Sequence, residues 1–233
     1  MSNTDQAVAQ TSQRTASSTM NPFNLDQDYS LSAYHEPRRL SLNGNYQLPF
    51  ARGANNSVVK KILGGWALNG IYTYGAGLPI NMLDGFNNST DGDSQLPDRP
   101  NLNPGFSQNP TSGVTAGCPG VPAGHKLHTP NLWYDPCAFS LSPTGTFGNL
   151  GRNTVMGPGT NQIDASLVKS TAINERMKLD FRFEVFNLLN HPVFAIPNLN
   201  LFTSATARNG SAGVISNTLI DNRDMQFGLK LIF

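Results

Sequence analysis

Residues Met225 to Phe233 read M-Q-F-G-L-K-L-I-F. Met225, Phe227, Leu229, Leu231 and Phe233 take every second position, and Gln226, Gly228 and Lys230 fall between them. A strand sends alternate side chains to opposite faces, so this stretch has one wholly apolar face and one mostly polar face. Two settings suit it. One is a half-buried edge strand of a soluble sheet, and the other is a wall with lipid on one side and water on the other. The rest of the chain favours the second, because four more segments repeat the pattern.

Upstream, residues 176–186 read R-M-K-L-D-F-R-F-E-V-F. Met177, Leu179, Phe181, Phe183 and Val185 form an apolar face, and Lys178, Asp180, Arg182 and Glu184 a fully charged one. In a barrel wall these four, with Lys230, would face the polar lumen. If Phe233 lies opposite Met177, Lys230 lies opposite Asp180. Ile163, Ala165 and Leu167 alternate with Asp164 and Ser166. The run W-A-L-N-G-I-Y-T-Y (66–74) places Trp66, Leu68, Gly70, Tyr72 and Tyr74 on one face. Leu40, Leu42, Gly44, Tyr46 and Leu48 alternate before Pro49, which ends the strand because it has no N–H for a ladder. The expectation is an all-β, antiparallel sheet with strands near 39–49, 65–75, 162–171, 176–189 and 224–233. Trp66 and Tyr74 stand roughly 26 Å apart along a strand. Tilted, that becomes roughly 20 Å of height, close to the ~25 Å apolar band of a membrane barrel. Tyr46, Trp66, Tyr72 and Tyr74 are therefore read as aromatic girdle residues.

Between the strands the sequence is polar and turn-rich. Residues 1–37 read as a polar loop or disordered arm, 50–64 (with Arg52, Lys60 and Lys61) as a turn, and 76–161 and 190–222 as long loops. With 13% charged residues, 22 glycines and 16 prolines, the composition is that of a β-rich chain. A net charge of +1 gives no electrostatic ground for a nucleic-acid partner. No apolar run approaches the ~18 residues of a membrane helix, which leaves a barrel open, since its strands hide apolar residues in alternation.

The chemistry-bearing residues point to no catalysis. His125 and His128 stand near Asp135 in a loop without convincing further metal ligands. Asp91 and Asp93 in S-T-D-G-D-S lack the later Glu of a calcium loop. The serines lack a G-x-S-x-G elbow, and the glycine-rich stretches lack the Lys-Ser/Thr of a phosphate loop. The short sequons at Asn55, Asn88 and Asn209 carry little meaning by themselves. No cofactor is expected.

The run F-R-F-E-V-F-N-L-L-N-H-P-V-F (181–194), followed by a loop and the terminal F-G-L-K-L-I-F, resembles the C-terminus of TonB-dependent outer-membrane receptors. It looks most like the Oar-like branch, which often carries an N-terminal carboxypeptidase-regulatory-like domain. The strings L-N-G-N-Y-Q-L-P-F (42–50), I-L-G-G-W-A-L-N-G-I-Y-T-Y-G-A-G-L-P (62–79), D-R-P-N (98–101), W-Y-D-P-C-A-F (133–139) and G-T-F-G-N-L-G-R-N-T (145–154) resemble the same branch. The resemblance implies a 22-stranded barrel in the outer membrane, a plug, and uptake energised by TonB. It also implies that Met225, Phe227, Leu229, Leu231 and Phe233 form the signal read by the barrel assembly machinery. Five strands are too few to close a barrel, and neither a plug, a TonB box nor a signal peptide is visible. The chain is therefore expected to be the last part of a longer receptor, whose other strands and plug are its partners along with membrane lipid. Two further readings stay open: a small self-contained adhesin or porin, and a secreted soluble β-sandwich binding module. Cys118 and Cys137 share the long loop and would form a disulfide in an oxidising periplasm; free thiols are the alternative.

Overall fold

The computed structural model describes residues 19–51, 53, 55, 57–93, 95–96 and 98–233. The expected arm over 1–18 and Arg52 of the expected turn lie outside the described residues. In chain order the elements are β1 (Arg39–Gln47), α1 (Ser57–Leu63), β2 (Trp66–Gly75), β3 (Pro79–Ile80), β4 (Asn101–Leu102), β5 (Phe139–Ser140), β6 (Val155–Met156), β7 (Thr160–Ala172), β8 (Lys178–Phe186), β9 (Phe202–Ser204), β10 (Ala207–Arg208) and β11 (Asp224–Ile232). They fall into two compact units. A sheet unit holds residues 38–75, 160–193 and 218–233; a loop unit holds 76–159 and 194–217 with the described part of the N-terminal segment.

The sheet unit is five antiparallel strands in the order β1-β2-β7-β8-β11, with β1 and β11 as open edges. The register follows the alternation. Leu40 faces Tyr74, Tyr72 faces Ile163, Leu167 faces Phe183, and Phe183 faces Phe227. A slip of one residue anywhere would move an apolar set to the polar side. Arg39, Gly75, Thr160, Phe186 and Asp224 mark one end of the sheet, and both long insertions leave from it. The opposite end carries the short connections. There Gly65 turns the chain into β2 at φ +77°, and a Cβ on it would lie 2.2 Å from the Ser170 carbonyl oxygen, so only glycine fits. The β7–β8 turn is tied by the Asn174 side chain, which accepts from the backbone N–H of Arg176 and Met177 at 2.9 and 2.8 Å.

One expectation fails at this end. Residues 57–63 form α1 rather than a plain turn. The stretch S-V-V-K-K-I-L is only two helical turns long and rich in β-branched residues, so its sequence carries weak helical propensity.

The loop unit overturns a second expectation. Residues 76–161 and 190–222 read as irregular, yet most of both stretches packs into a unit with its own core. Ile80, Met82, Trp133, Tyr134, Phe139, Leu150, Val155, Leu199, Leu201 and Phe202 are buried together. The ordering agents are local and long-range at once. D-R-P-N and G-N-L-G pack against each other: the Asn101 side chain accepts from Asn149 N–H at 2.9 Å, and Asn149 accepts from Leu102 N–H at 2.8 Å. Gly148 sits so close that a Cβ would lie 2.1 Å from the Arg99 carbonyl oxygen. In W-Y-D-P-C-A-F, Asp135 caps the short 3-10 helix Pro136–Ala138 by accepting from Cys137 N–H at 2.9 Å. The indole of Trp133 donates to the Met156 carbonyl at 2.9 Å.

The N-terminal segment is part of this unit wherever it is described. Met20 is buried, and Asp28 forms an ion pair with Arg99 at 2.5 Å with both side chains almost wholly buried. Arg99 also donates from Nε to the Leu150 carbonyl and from Nη2 to the Gln27 carbonyl, each at 3.0 Å. Burial alone would raise the Asp28 carboxyl; the Thr19 hydroxyl and the Arg99 guanidinium outweigh it and hold the group below its ordinary 3.8. A depressed carboxyl contributes stability that is complete above its ordinary value and lost as pH falls through the depressed one.

Two outcomes follow. Arg99→Met leaves a buried carboxylate unpaired and lowers stability by about 3–5 kcal/mol in urea unfolding followed by tryptophan fluorescence; the loss shrinks as pH falls and Asp28 takes up its proton. The Cys118–Cys137 disulfide closes a loop of sequence separation 19, worth about 3 kcal/mol in the chain-entropy model. Cys137→Ser therefore lowers stability by about that amount, and non-reduced peptide mapping of the unaltered protein yields the linked pair.

Candidate functional site

The working surface of the sheet unit is its apolar face. Leu40, Leu42 and Tyr46 on β1, Leu68, Tyr72 and Tyr74 on β2, Ile163 and Leu167 on β7, Leu179, Phe181, Phe183 and Val185 on β8, and Met225, Phe227, Leu229 and Leu231 on β11 all share it through the register. Phe227 stacks on Phe183 at 4.8 Å between centroids and lies 6.3 Å from Phe181. Yet Phe227 remains 72% and Leu229 70% exposed. A soluble surface rarely leaves so broad an apolar patch open to water; a hydrocarbon environment has no such objection.

The girdle candidates sit at both ends of that face. Trp66 and Tyr46 lie toward the short-connection end, Tyr72 and Tyr74 toward the end of the long insertions. Lys169 is the one cation among the apolar row of β7. Its Nζ lies 5.0 Å over the Trp66 ring and donates to the Gly64 carbonyl at 2.7 Å. The stem thus runs along apolar surface while the charge reaches the rim, the geometry of a snorkelling interfacial lysine. Sequence reading missed Lys169; its place beside an end-of-strand tryptophan was the available signal. Phe233 follows the last paired residue and is almost wholly exposed.

The opposite face is mostly polar, broken by Ala67, Ile71, Val168 and Ile232. Lys178, Asp180, Arg182 and Glu184 alternate along β8, and Lys230 lies directly opposite Asp180. Lys178 Nζ is 3.4 Å from Asp180, which also accepts a hydrogen bond from the Ser170 hydroxyl. A row of aligned side chains crosses all five strands: Asn45, Asn69, Ser166, Glu184 and Gln226. Asn45 donates to Asn69, Asn69 donates to the Ser166 hydroxyl at 3.0 Å, and Gln226 donates to Glu184 at 2.6 Å. Such cross-strand pairs satisfy polar groups on a face with limited access to water. Sequence reading found the charges but not this row, because the row exists only once the register is known.

The loop unit offers a different kind of site. A cleft of about 500 Å³ is lined by Val121, His125, Lys126, Leu132, Arg208 and Val214 among others. Arg208 is pinned there by donating to the Pro136 and Phe139 carbonyls at 2.9 and 2.7 Å, with its guanidinium 5.0 Å over the Phe202 ring. The His128 ring lies against Trp133 with centroids 4.0 Å apart, Asp135 accepts from the Cys137 and Ala116 N–H, and His125 is exposed in the lining of the cleft. No group of three or more His, Cys, Asp or Glu is placed to hold a metal among the described residues. Asp91 and Asp93 accept from the backbone N–H two residues on, at 2.9 and 2.7 Å, as turn-forming residues do. Deeper in the unit, Asp84 is fully buried, and burial together with the charge of Asp98 pushes its carboxyl up to about 7.

The sequence matches the family model described as an outer membrane beta barrel domain over residues 1–226. No curated protein and no solved structure matches it. The family accounts for the uncovered apolar face and the polar face behind it, since a barrel wall separates lipid from an aqueous lumen. The chain belongs to the outer-membrane β-barrel family and resides in the outer membrane of Gram-negative bacteria.

Proposed function

We propose that the chain is the closing segment of a TonB-dependent outer-membrane receptor of the Oar-like branch, taking part in energy-coupled uptake of a ligand. The observation that supports this most is the five-stranded sheet with one largely apolar face and two open edges. Five strands cannot enclose a pore, since the smallest membrane barrels use about eight. Unpaired backbone at a lipid-facing edge costs several kcal/mol per group, so both edges need further strands. In a 22-stranded receptor, β11 would pair with the first strand, and β1 with the strand before it. The polar row and the charges Lys178, Asp180, Arg182, Glu184 and Lys230 would then face the lumen, where a plug sits and TonB delivers energy. The loop unit would meet the external ligand. The aromatic alternation up to Phe233 would be read by the barrel assembly machinery. No enzymatic activity is proposed.

A sandwich module would cover its apolar face with a second sheet, and the other sheets among the described residues are pairs of strands two or three residues long. A self-contained porin is separated by function. Purified alone in detergent and added to planar bilayers, the chain should give no stepwise conductance; defined channel steps would favour a porin made of several copies. In the complete receptor, deleting Phe233 should lower the folded, heat-modifiable barrel in outer-membrane fractions. Phe227→Arg should destabilise it by about 2–4 kcal/mol as a charge on the lipid face, whereas Gln226→Arg on the other face should be tolerated.

A further inference from the structure

The loop unit buries oxygen without enough donors to meet it. The described side-chain atoms that are buried and without a hydrogen-bond partner are Gln27 Oε1, Asn81 Oδ1, both carboxylate oxygens of Asp84, Asp98 Oδ1 and Thr154 Oγ1. Every one is an oxygen. Native interiors leave few such groups, and each calls for a donor, a water or an ion. Three of these six atoms belong to two carboxylates held side by side. The Asp84 N–H donates to the Asp98 carbonyl at 2.8 Å, and the side chains are 0% and 2% exposed. Asp98 uses only its second oxygen, accepting from the Ser89 N–H at 2.7 Å.

Among the described residues, no side chain donates a hydrogen bond to the three unpaired carboxylate oxygens, although the Arg99 guanidinium lies within electrostatic reach of Asp98. Arg99 follows Asp98 directly, but its three nitrogens are given to Leu150, Asp28 and Gln27. Two buried carboxylates with three unpaired oxygens make a hard-cation donor set. Magnesium usually keeps several waters and is seldom held in a dedicated protein cage, whereas calcium accepts irregular sets of carboxylate, amide and backbone oxygens.

We infer that Asp84 and Asp98 anchor a calcium-binding site inside the loop unit. Further ligands would come from backbone carbonyls or water. This site is separate from Asp91 and Asp93, whose carboxylates already serve their own turns. It would make the fold of the loop unit depend on divalent cation outside the cell.

The test uses the full chain in detergent, stripped with EGTA and titrated with Ca²⁺. Equilibrium dialysis with radioactive calcium should find one ion per chain, saturating in the roughly 10⁻⁴–10⁻³ M range of extracellular modules. The thermal midpoint should rise by several degrees on saturation, as expected when a ligand binds only the folded state. Asp84→Asn should weaken binding at least tenfold, while a variant carrying Asp91→Asn and Asp93→Asn should bind as before. Absence of bound calcium in the unaltered chain, with equal midpoints in Ca²⁺ and EGTA, would overturn the inference and leave a proton shared by the two carboxylates. Binding retained in both Asp84→Asn and Asp98→Asn, or lost in the Asp91/Asp93 variant, would overturn it equally. If Asp84→Asn fails to fold, dialysis on the unaltered chain and the Asp91/Asp93 variant still decides.

Discussion

The sheet unit depends on one constraint: the backbone pairing of five antiparallel strands in a single, unslipped register. Side-chain direction in a strand has a period of two, so hydrogen bonding and facing cannot be set independently. Because Leu231 pairs with Leu179 and Phe227 with Phe183, the apolar residues of both strands reach the same side, and Glu184 meets Gln226 on the other. The same logic runs from β1 to β11. No residue on the apolar face needs to be deeply buried in protein for this to be stable, provided hydrocarbon covers it. In water that face would be a liability; in a bilayer the polar face needs the lumen, and the hydrogen-bonded row from Asn45 to Gln226 lets it keep its groups paired.

The loop unit is held by different means. It has few regular elements, so its backbone cannot be satisfied by long ladders. Side chains take over: Asn101 and Asn149 exchange bonds with each other's segments, Asp135 caps a short helix, and Arg99 ties three separate stretches together. A disulfide joins Cys118 to Cys137, and a compact aromatic and aliphatic core fills the middle. The strings D-R-P-N, W-Y-D-P-C-A-F and G-N-L-G make these joints, a structural role that is separate from any ligand.

How much of this was legible varied with the range of the interactions. The sheet strands could be read because alternation is a local property: β2 and β11 end within one residue of where the pattern places them, whereas the pairing of Lys230 with Asp180 is one of the registers that the alternation allows. The loop unit could not. Its strands are two or three residues long, too short for any periodicity, and its core residues are scattered from Ile80 to Ile215. The buried Asp28–Arg99 pair joins positions 71 apart, which no window of sequence displays. Helix α1 was hidden by β-branched residues, and the unpaired oxygens of Asp84 and Asp98 show only when burial is known.

The central claim is that one face of the sheet meets lipid and the other meets water. Single spin labels placed in turn from Met225 to Lys230 of β11, in the barrel reconstituted into bilayers, measure this directly through collision with oxygen and with a water-soluble nickel chelate. The account predicts a period of two: labels at Met225, Phe227 and Leu229 collide with oxygen, and labels at Gln226, Gly228 and Lys230 with the chelate. Uniform access to the chelate along the strand, or an alternation in the opposite sense, would contradict it.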